Sequence, residues 1–321
     1  MSTRIQSFMQ KALSMIMLLS TALFGTGNLS FVHAQGEISL FTEINTLDKM
    51  HSPQAAVRSR AVGINLNVLS GPQGDVGSQS LKGNTIQMNL FEDTVYDVVI
   101  DSIEASASGG TAWNGHIAGL IPSYAYMIYT EGVFAAHVAS LEGVYEVQYS
   151  GGDIYTVSQL DHALYPDDIV LEPTLPANAL PPVEPDINTQ TITDIDVMVL
   201  YTARAVTAVG GLSAMNAKVD LAVQETNQSY INSNVNQRIN LVYTGQVTYD
   251  EGANPDFGMT LDRLTGKVDG HMDSVHALRD AHSADLVSLV IEGTQYCGIA
   301  WLMSSPSVSF ESDGFSVVAQ S

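Results

Sequence analysis

Between residues 64 and 157, apolar side chains recur at every second position. Ile64, Leu66 and Val68 alternate with Gly63, Asn65 and Asn67. Ile86, Met88 and Leu90 alternate with Gln87 and Asn89, and Tyr145, Val147 and Tyr149 alternate with Glu146 and Gln148. A period of two puts such residues on one face of a strand, and Gly109-Gly110 and Gly151-Gly152 supply breaks between runs. With further strands at 95–100 and 154–157, the pattern predicts an antiparallel sheet or small sandwich. Residues 35–60 are less regular, with room for a short helix.

From residue 193 the pattern changes to strand and helix in alternation. Residues 195–201 (IDVMVLY) form a short apolar run expected to be a buried strand. Leu212, Met215, Val219, Ala222, Val223, Thr226 and Tyr230 then recur at steps of three and four, which predicts an amphipathic helix from Ser213, as N-cap, to about Asn232. A strand at 238–249, a second helical stretch within 259–282, clearest from His271 to His282, and an apolar strand at 285–291 follow. This order implies a largely parallel sheet with helices packed on it. Residues 299–303 and 315–318 add short strands near an edge.

Prolines separate the two halves. Pro166, Pro173, Pro176, Pro181, Pro182 and Pro185 fall in a stretch with neither period. Such segments run extended as spacers, which places a linker at 165–192, where proteolytic cutting is expected. The start of the chain is different again. Arg4 and Lys11 flank the approach to an apolar core at 12–24, and Val32-His33-Ala34 is a small-residue exit. This is the layout of a secretory signal peptide, 1–34, cleaved after Ala34. Read as an uncleaved anchor, its core falls short of the ~20 residues a membrane span needs. The expected parts are therefore 1–34, 35–164, 165–192 and 193–321, with the mature protein outside the cell and off the membrane. A net charge of −22 with only 12 Lys and Arg argues against nucleic acid or an anionic membrane as partner, since both need basic patches.

Candidate chemistry is sparse. A zinc site needs His, Cys or carboxylate groups converging at about 2.0–2.3 Å from the ion. His271, His276 and His282 form the densest histidine group. On a helix His271 and His276 lie about 140° apart, and His271 and His282 about 16 Å apart along the axis. No pair has the i, i+4 spacing of a helical zinc pair, so these read as ordinary surface or partly buried histidines, as do His116, His137 and His162. The sequence has no HExxH, GxSxG, P-loop or GxGxxG motif. Asp250, Glu251, Asn254 and Asp256, with Gly252 and Gly258, depart from the spacing of an EF-hand loop and read as an acidic surface loop. Cys297 is the one cysteine. As a nucleophile it would need an activating histidine such as His162 or His276, which spacing does not supply. A buried thiol, an interchain pair and a lost partner all stay open for it.

Several blocks occur in unbroken order: IDVMVLYTARAVTAVGG, AKVDLAVQETNQSYINSNVNQRINLVYTGQVTYDE, LTGKVDGHMDSVHALRDAHSADLVSLVIEG, YCGIAWLM and FSVV. Together they resemble bacterial reprolysin-like zinc peptidases of the metzincin clan, of the peptidyl-Asp metalloendopeptidase type. NLFEDTVYDVV and TAWNGHIAG look, more weakly, like the propeptide of such precursors. The resemblance implies an α/β metzincin-like N-terminal subdomain, a twisted and mostly parallel sheet with two helices, preceded by a β-rich propeptide domain that packs on its own catalytic domain. It implies protein or peptide substrates. In that family a helix carrying HExxHxxGxxH holds Zn2+, which lowers the pKa of bound water and polarises the scissile carbonyl.

This sequence has no such helix, so no catalytic or metal-binding residue carries over. Zn2+ is expected in the full-length protein and none in this chain, which reads as truncated before the helix and inactive alone. Similarity also implies that Cys297 pairs with a cysteine just beyond the present end. What does carry over is the antiparallel edge strand beside the cleft. It maps to Gly298, Ile299, Ala300 and Trp301, and would pair with bound peptide. The same residues read equally as an ordinary edge strand covered by the propeptide. With no propeptide cysteine to ligate zinc, latency would rest on steric cover or on a propeptide carboxylate or histidine. The alternative is a non-catalytic secreted protein that binds peptides or a surface partner through the edge strand or the β-rich front.

Overall fold

The computed structural model describes residues 39–44, 50, 52–166, 169–171, 173, 193–304 and 307–320. The signal-peptide segment 1–34 and residues 174–192 of the linker lie outside them. Among the described residues no helix is long and apolar enough to cross a membrane.

The first half is a nine-stranded antiparallel sheet, as the period of two predicts. Its strands are β1 (Phe41–Glu43), β2 (Ala56–Ile64), β3 (Thr85–Phe91), β4 (Thr94–Ala105), β5 (Thr111–Ile117), β6 (Ser123–Thr130), β7 (Val133–Ser140), β8 (Gly143–Gly151) and β9 (Ile154–Leu160). Their order is β1-β2-β9-β8-β7-β6-β5-β4-β3. The two end strands curl back on each other: Leu40 N–H donates to Gln87 O at 3.0 Å, and Phe41 exchanges two hydrogen bonds with the Asn89 side chain. The sheet is thus nearly a barrel, filled by Trp113, Phe134, Met88, Leu90, Ile100 and Met127, all fully buried. One expectation fails here. Leu66 and Val68 sit in a 3-10 turn, Leu66–Leu69, because Val68 N–H closes onto Asn65 O and Ser70 N–H onto Asn67 O. Within 35–60 the described residues form strand and turn, while residues 35–38, 45–49 and 51, where a short helix had room, lie outside the described residues.

The second half is a six-stranded sheet in the order β10-β14-β15-β13-β11-β12. The strands are β10 (Ile169–Leu171), β11 (Thr193–Tyr201), β12 (Gln237–Gln246), β13 (Leu286–Ile291), β14 (Gly298–Trp301) and β15 (Phe315–Ala319). β11 runs parallel to β12 and β13, and β13 parallel to β15, while β14 is antiparallel to β15. The apolar run in β11 follows from coverage of both faces. Met198 and Leu200 pack with Phe257, Leu261, Leu289 and Val317, whereas Tyr201 packs with Met215, Val219 and Val290 on the opposite face.

Among the described residues four helices serve this sheet where two were expected: α1 (Ala203–Ala208), α2 (Leu212–Asn232), α3 (Phe257–Thr265) and α4 (Ser274–His282). The predicted second helix is split into α3 and α4 by residues 266–273, where Gly270 and Met272 take positive φ values of 82° and 53°. α2 begins at Leu212 with Gly211 at its N-cap, so Ser213 is in the first turn and not the cap. Asp256, from the acidic run, caps α3 by accepting from Met259 N–H at 2.9 Å.

Residues 38–321 form one compact unit, and α2 joins its two sheets. Ala214, Ala217 and Leu221 belong to the core of the front sheet, while Met215 and Val219 belong to the core beside β11 and β13. Asp220, on the front-facing side, is buried. On the far edge of the second sheet, the Asn227 side chain of α2 accepts from Ile239 N–H at 2.7 Å and donates to Ile239 O at 2.9 Å.

Candidate functional site

The structure places all four candidate residues, Gly298, Ile299, Ala300 and Trp301, in one strand, β14. Its partners in β15 are Val318, Val317 and Ser316, opposite Gly298, Ile299 and Ala300. Ala319 N–H donates to Cys297 O at 2.8 Å and carries the ladder one residue further. Ile299 is buried with Phe315 and Val317. Trp301, two residues on and so on the same face, donates its indole N–H to Thr265 Oγ1 at 2.8 Å. That bond ties the strand to α3.

The outward edge of β14 is occupied by the chain itself. β10 pairs with it in parallel, Ile169 opposite Ile299, Val170 opposite Ala300 and Leu171 opposite Trp301. Leu302 N–H donates to Leu171 O at 2.7 Å. β10 lies inside the segment predicted to be a strandless linker. Its signal in the sequence is only Ile169-Val170-Leu171, three β-favouring residues among acids and prolines. Thr265 carried no signal, because its role depends on where α3 meets β14. Replacing Leu171 by proline removes a ladder N–H and a packed side chain. We expect amide exchange at Leu302 to rise about tenfold or more, with β11 and β13 unaffected. Unchanged exchange at Leu302 in a mass-spectrometric or NMR measurement would show that β10 does not hold this edge.

Cys297 directly precedes β14. Its half-buried thiol donates to Pro166 O at 3.1 Å, so the start of the linker segment contacts the start of the strand. The neighbouring Tyr165 phenol is pushed up to about 12, first by burial and then by the charges of Glu146 and Cys297.

The histidines are dispersed. His276 Nε2 lies 3.0 Å from Gly266 O, His282 packs against Tyr243 with ring centres 4.4 Å apart, and His271 sits in the turn before α4. His116 Nδ1 lies 2.8 Å from Asp101 and His137 Nδ1 2.6 Å from Glu225, while the His162 ring is tilted against Tyr165 with centres 5.8 Å apart. Among the described residues no three His, Cys, Asp or Glu side chains converge so as to hold a metal ion.

Asp250, Asn254 and Asp256 of the acidic run are exposed, as expected of a surface loop, but Glu251 is not. Its side chain is fully buried, and its Oε1 accepts from Thr202 Oγ1 at 2.6 Å and from Glu292 N–H at 3.2 Å. A run of acids gave no hint of this, since the partner Thr202 comes from the end of β11.

Residues 191–320 match metallo-peptidase family M12, in its Reprolysin_5 group. Over 106 residues the chain is 43% identical to the peptidyl-Asp metalloendopeptidase of Stenotrophomonas maltophilia strain K279a, a stretch covering 33% of this chain and 24% of that protein. The enzyme of the same name from Xanthomonas campestris pv. campestris is 42% identical over 106 residues, with the same coverage. The matched stretch is thus about a quarter of the length of these curated relatives. Among solved structures, metalloproteinase-II from Bacteroides fragilis aligns over 75% of this chain and 78% of its own, at 12% identity and a TM-score of 0.43.

Proposed function

We propose, from residues 191–320 being a reprolysin-like segment of metallo-peptidase family M12, that this chain is the front part of a secreted zinc metalloendopeptidase precursor. In this reading residues 35–164 are a propeptide, and β14 is the edge on which an extended peptide substrate lies. The observation that carries it is β14 itself: its outer edge pairs with an extended three-residue segment, Ile169–Leu171. An edge that accepts such a segment offers N–H and C=O groups at the spacing any extended peptide needs. β10 then acts as cover. It is latency by occupation of the edge, with no propeptide cysteine required.

The zinc centre is a property proposed for the longer protein. Since no described group of three ligating side chains converges, these residues do not fit a zinc ion. Cys297 is proposed to pair with a cysteine of the longer protein.

The test compares two proteins. The chain of residues 35–321 is expected to hold substoichiometric zinc by elemental analysis and to leave casein and short peptides intact. A longer gene product containing HExxHxxGxxH is expected to hold one zinc per chain and to cleave them. Cleavage by residues 35–321 alone would refute the proposal. A longer product that binds peptides at β14 without cutting them would favour a non-catalytic peptide-binding protein.

A further inference from the structure

We propose that the front sheet is a separable clasp for helix α2, which stays bound to residues 193–320 after the connecting segment is cut and releases them as the pH rises. This deepens the reading of the front half as a cover and rests on it for its biological meaning.

The grip is made where β5, β6 and β7 face α2. Ala214, Ala217 and Leu221 share one apolar cluster with Ile128, Tyr126 and Ala135 of the front sheet. Around this seam lie hydrogen bonds that cross from one half to the other. Asp220 accepts from Ser106 Oγ and Thr130 Oγ1, both at 2.6 Å, and from Ser108 Oγ and N–H at 2.8 and 2.9 Å. Gln224 donates to Asn114 Oδ1 at 3.0 Å, and Asn216 donates to the Glu131 carboxylate at 3.2 Å. Such contacts need no covalent connection between the halves.

His137 of β7 is the proton-sensitive member. Its Nδ1 lies 2.6 Å from Glu225 Oε1 of α2, and both side chains are partly buried. It borders a cavity of about 230 Å³ that Glu146 of β8, Lys218 of α2, and His162 and Tyr165 beyond β9 also line. Tyr124 of β6 meets the imidazole edge-on at 5.7 Å. Lys218 is engaged with Gln320 O and with Glu146 at 3.7 Å. Burial pushes the imidazole down, but the hydrogen bond and charge of Glu225, joined by Glu146, outweigh it and hold His137 above its ordinary 6.5. The bound state therefore favours imidazolium more than the separated state does. The contribution to association is fully present below about 6.5 and is lost as the pH climbs through the raised value. Glu225 then faces a neutral ring and loses its ionic partner.

The test uses the full chain with a recognition sequence for a specific protease inserted between residues 180 and 185. After cutting, the halves are expected to elute as one complex at about pH 6. The dissociation constant is expected to rise severalfold by about pH 9, where the imidazole is neutral. Glu225→Gln keeps a hydrogen-bond acceptor but removes the charge, so the same pH change should alter its dissociation constant by less than about twofold. Halves that fall apart at both pH values, or a parent complex whose affinity does not change, would overturn the proposal. So would an unchanged pH dependence in Glu225→Gln. The parent profile decides the matter even if that variant fails to fold. Zinc content and peptide cleavage of the longer protein bear only on the peptidase reading, so the two proposals can fail separately.

Discussion

Replacing Asp220 by alanine is expected to lower the unfolding free energy by about 3 to 5 kcal/mol, the cost typical of removing one member of a buried charged network. The carboxylate is only 1% exposed and accepts four hydrogen bonds from the 106–108 turn and from Thr130. Bonds to a charged acceptor are the stronger kind, and truncation leaves several buried donors without it. The turn that supplies them cannot readily adapt. Gly110 approaches the chain so closely that a Cβ there would lie 2.5 Å from Tyr129 O and 2.2 Å from Thr130 Oγ1. Asp220→Asn retains one carbonyl acceptor, and the three hydroxyls can rotate toward its amide. It should therefore lose about half as much. Urea unfolding followed by circular dichroism measures both. A loss below about 1 kcal/mol for alanine would mean that the turn can find other partners.

The second large effect is expected at Arg279. Its guanidinium is buried in the last turn of α4 and donates to three carbonyls: Ala284 O at 3.0 Å, Asp285 O at 2.6 Å and Glu311 O at 2.6 Å. It also lies over the Phe315 ring at 5.1 Å. A cation at this end of a helix is further favoured by the helix dipole. The residue thus joins α4, the start of β13 and the approach to β15. Arg279→Met preserves much of the stem packing but removes all three donors, with an expected cost of about 3 kcal/mol. Arg279→Lys should recover less than half of that, because one ammonium cannot reproduce a planar fork spanning three acceptors. The same urea titration serves. A lysine variant as stable as the parent would show that charge alone matters there.

What the sequence disclosed, and what it hid, follows from how local each signal is. The period of two in β3 and β8 was legible because one face of each strand meets a packed core. The apolar run of β11 was legible because both faces do. The steps of three and four marked α2 but did not reveal that it is shared. Asp220 and Glu225 stand where a surface charge is ordinarily expected, and only the front sheet buries the first and partly covers the second. The break between α3 and α4 was hidden because apolar spacing continued across it, whereas Gly270 and Met272 bend the backbone. β10 was hidden because three residues are too few to show a period, and its partner lies about 130 positions away in β14. Gly298–Trp301 came from family resemblance, since nothing in the four side chains singles them out. Buried Glu251 needed Thr202 and Glu292, both remote in sequence.

The two borders of the six-stranded sheet are finished in opposite ways. Along β12, the Asn227 amide mimics a peptide unit and occupies both polar groups of Ile239. A foreign strand arriving on that side would have to displace a helix-borne side chain before it could bond there. On the opposite side the last place is held by three residues from a proline-rich tether. Growth by strand addition is thus directional, hindered at one rim and open to exchange at the other.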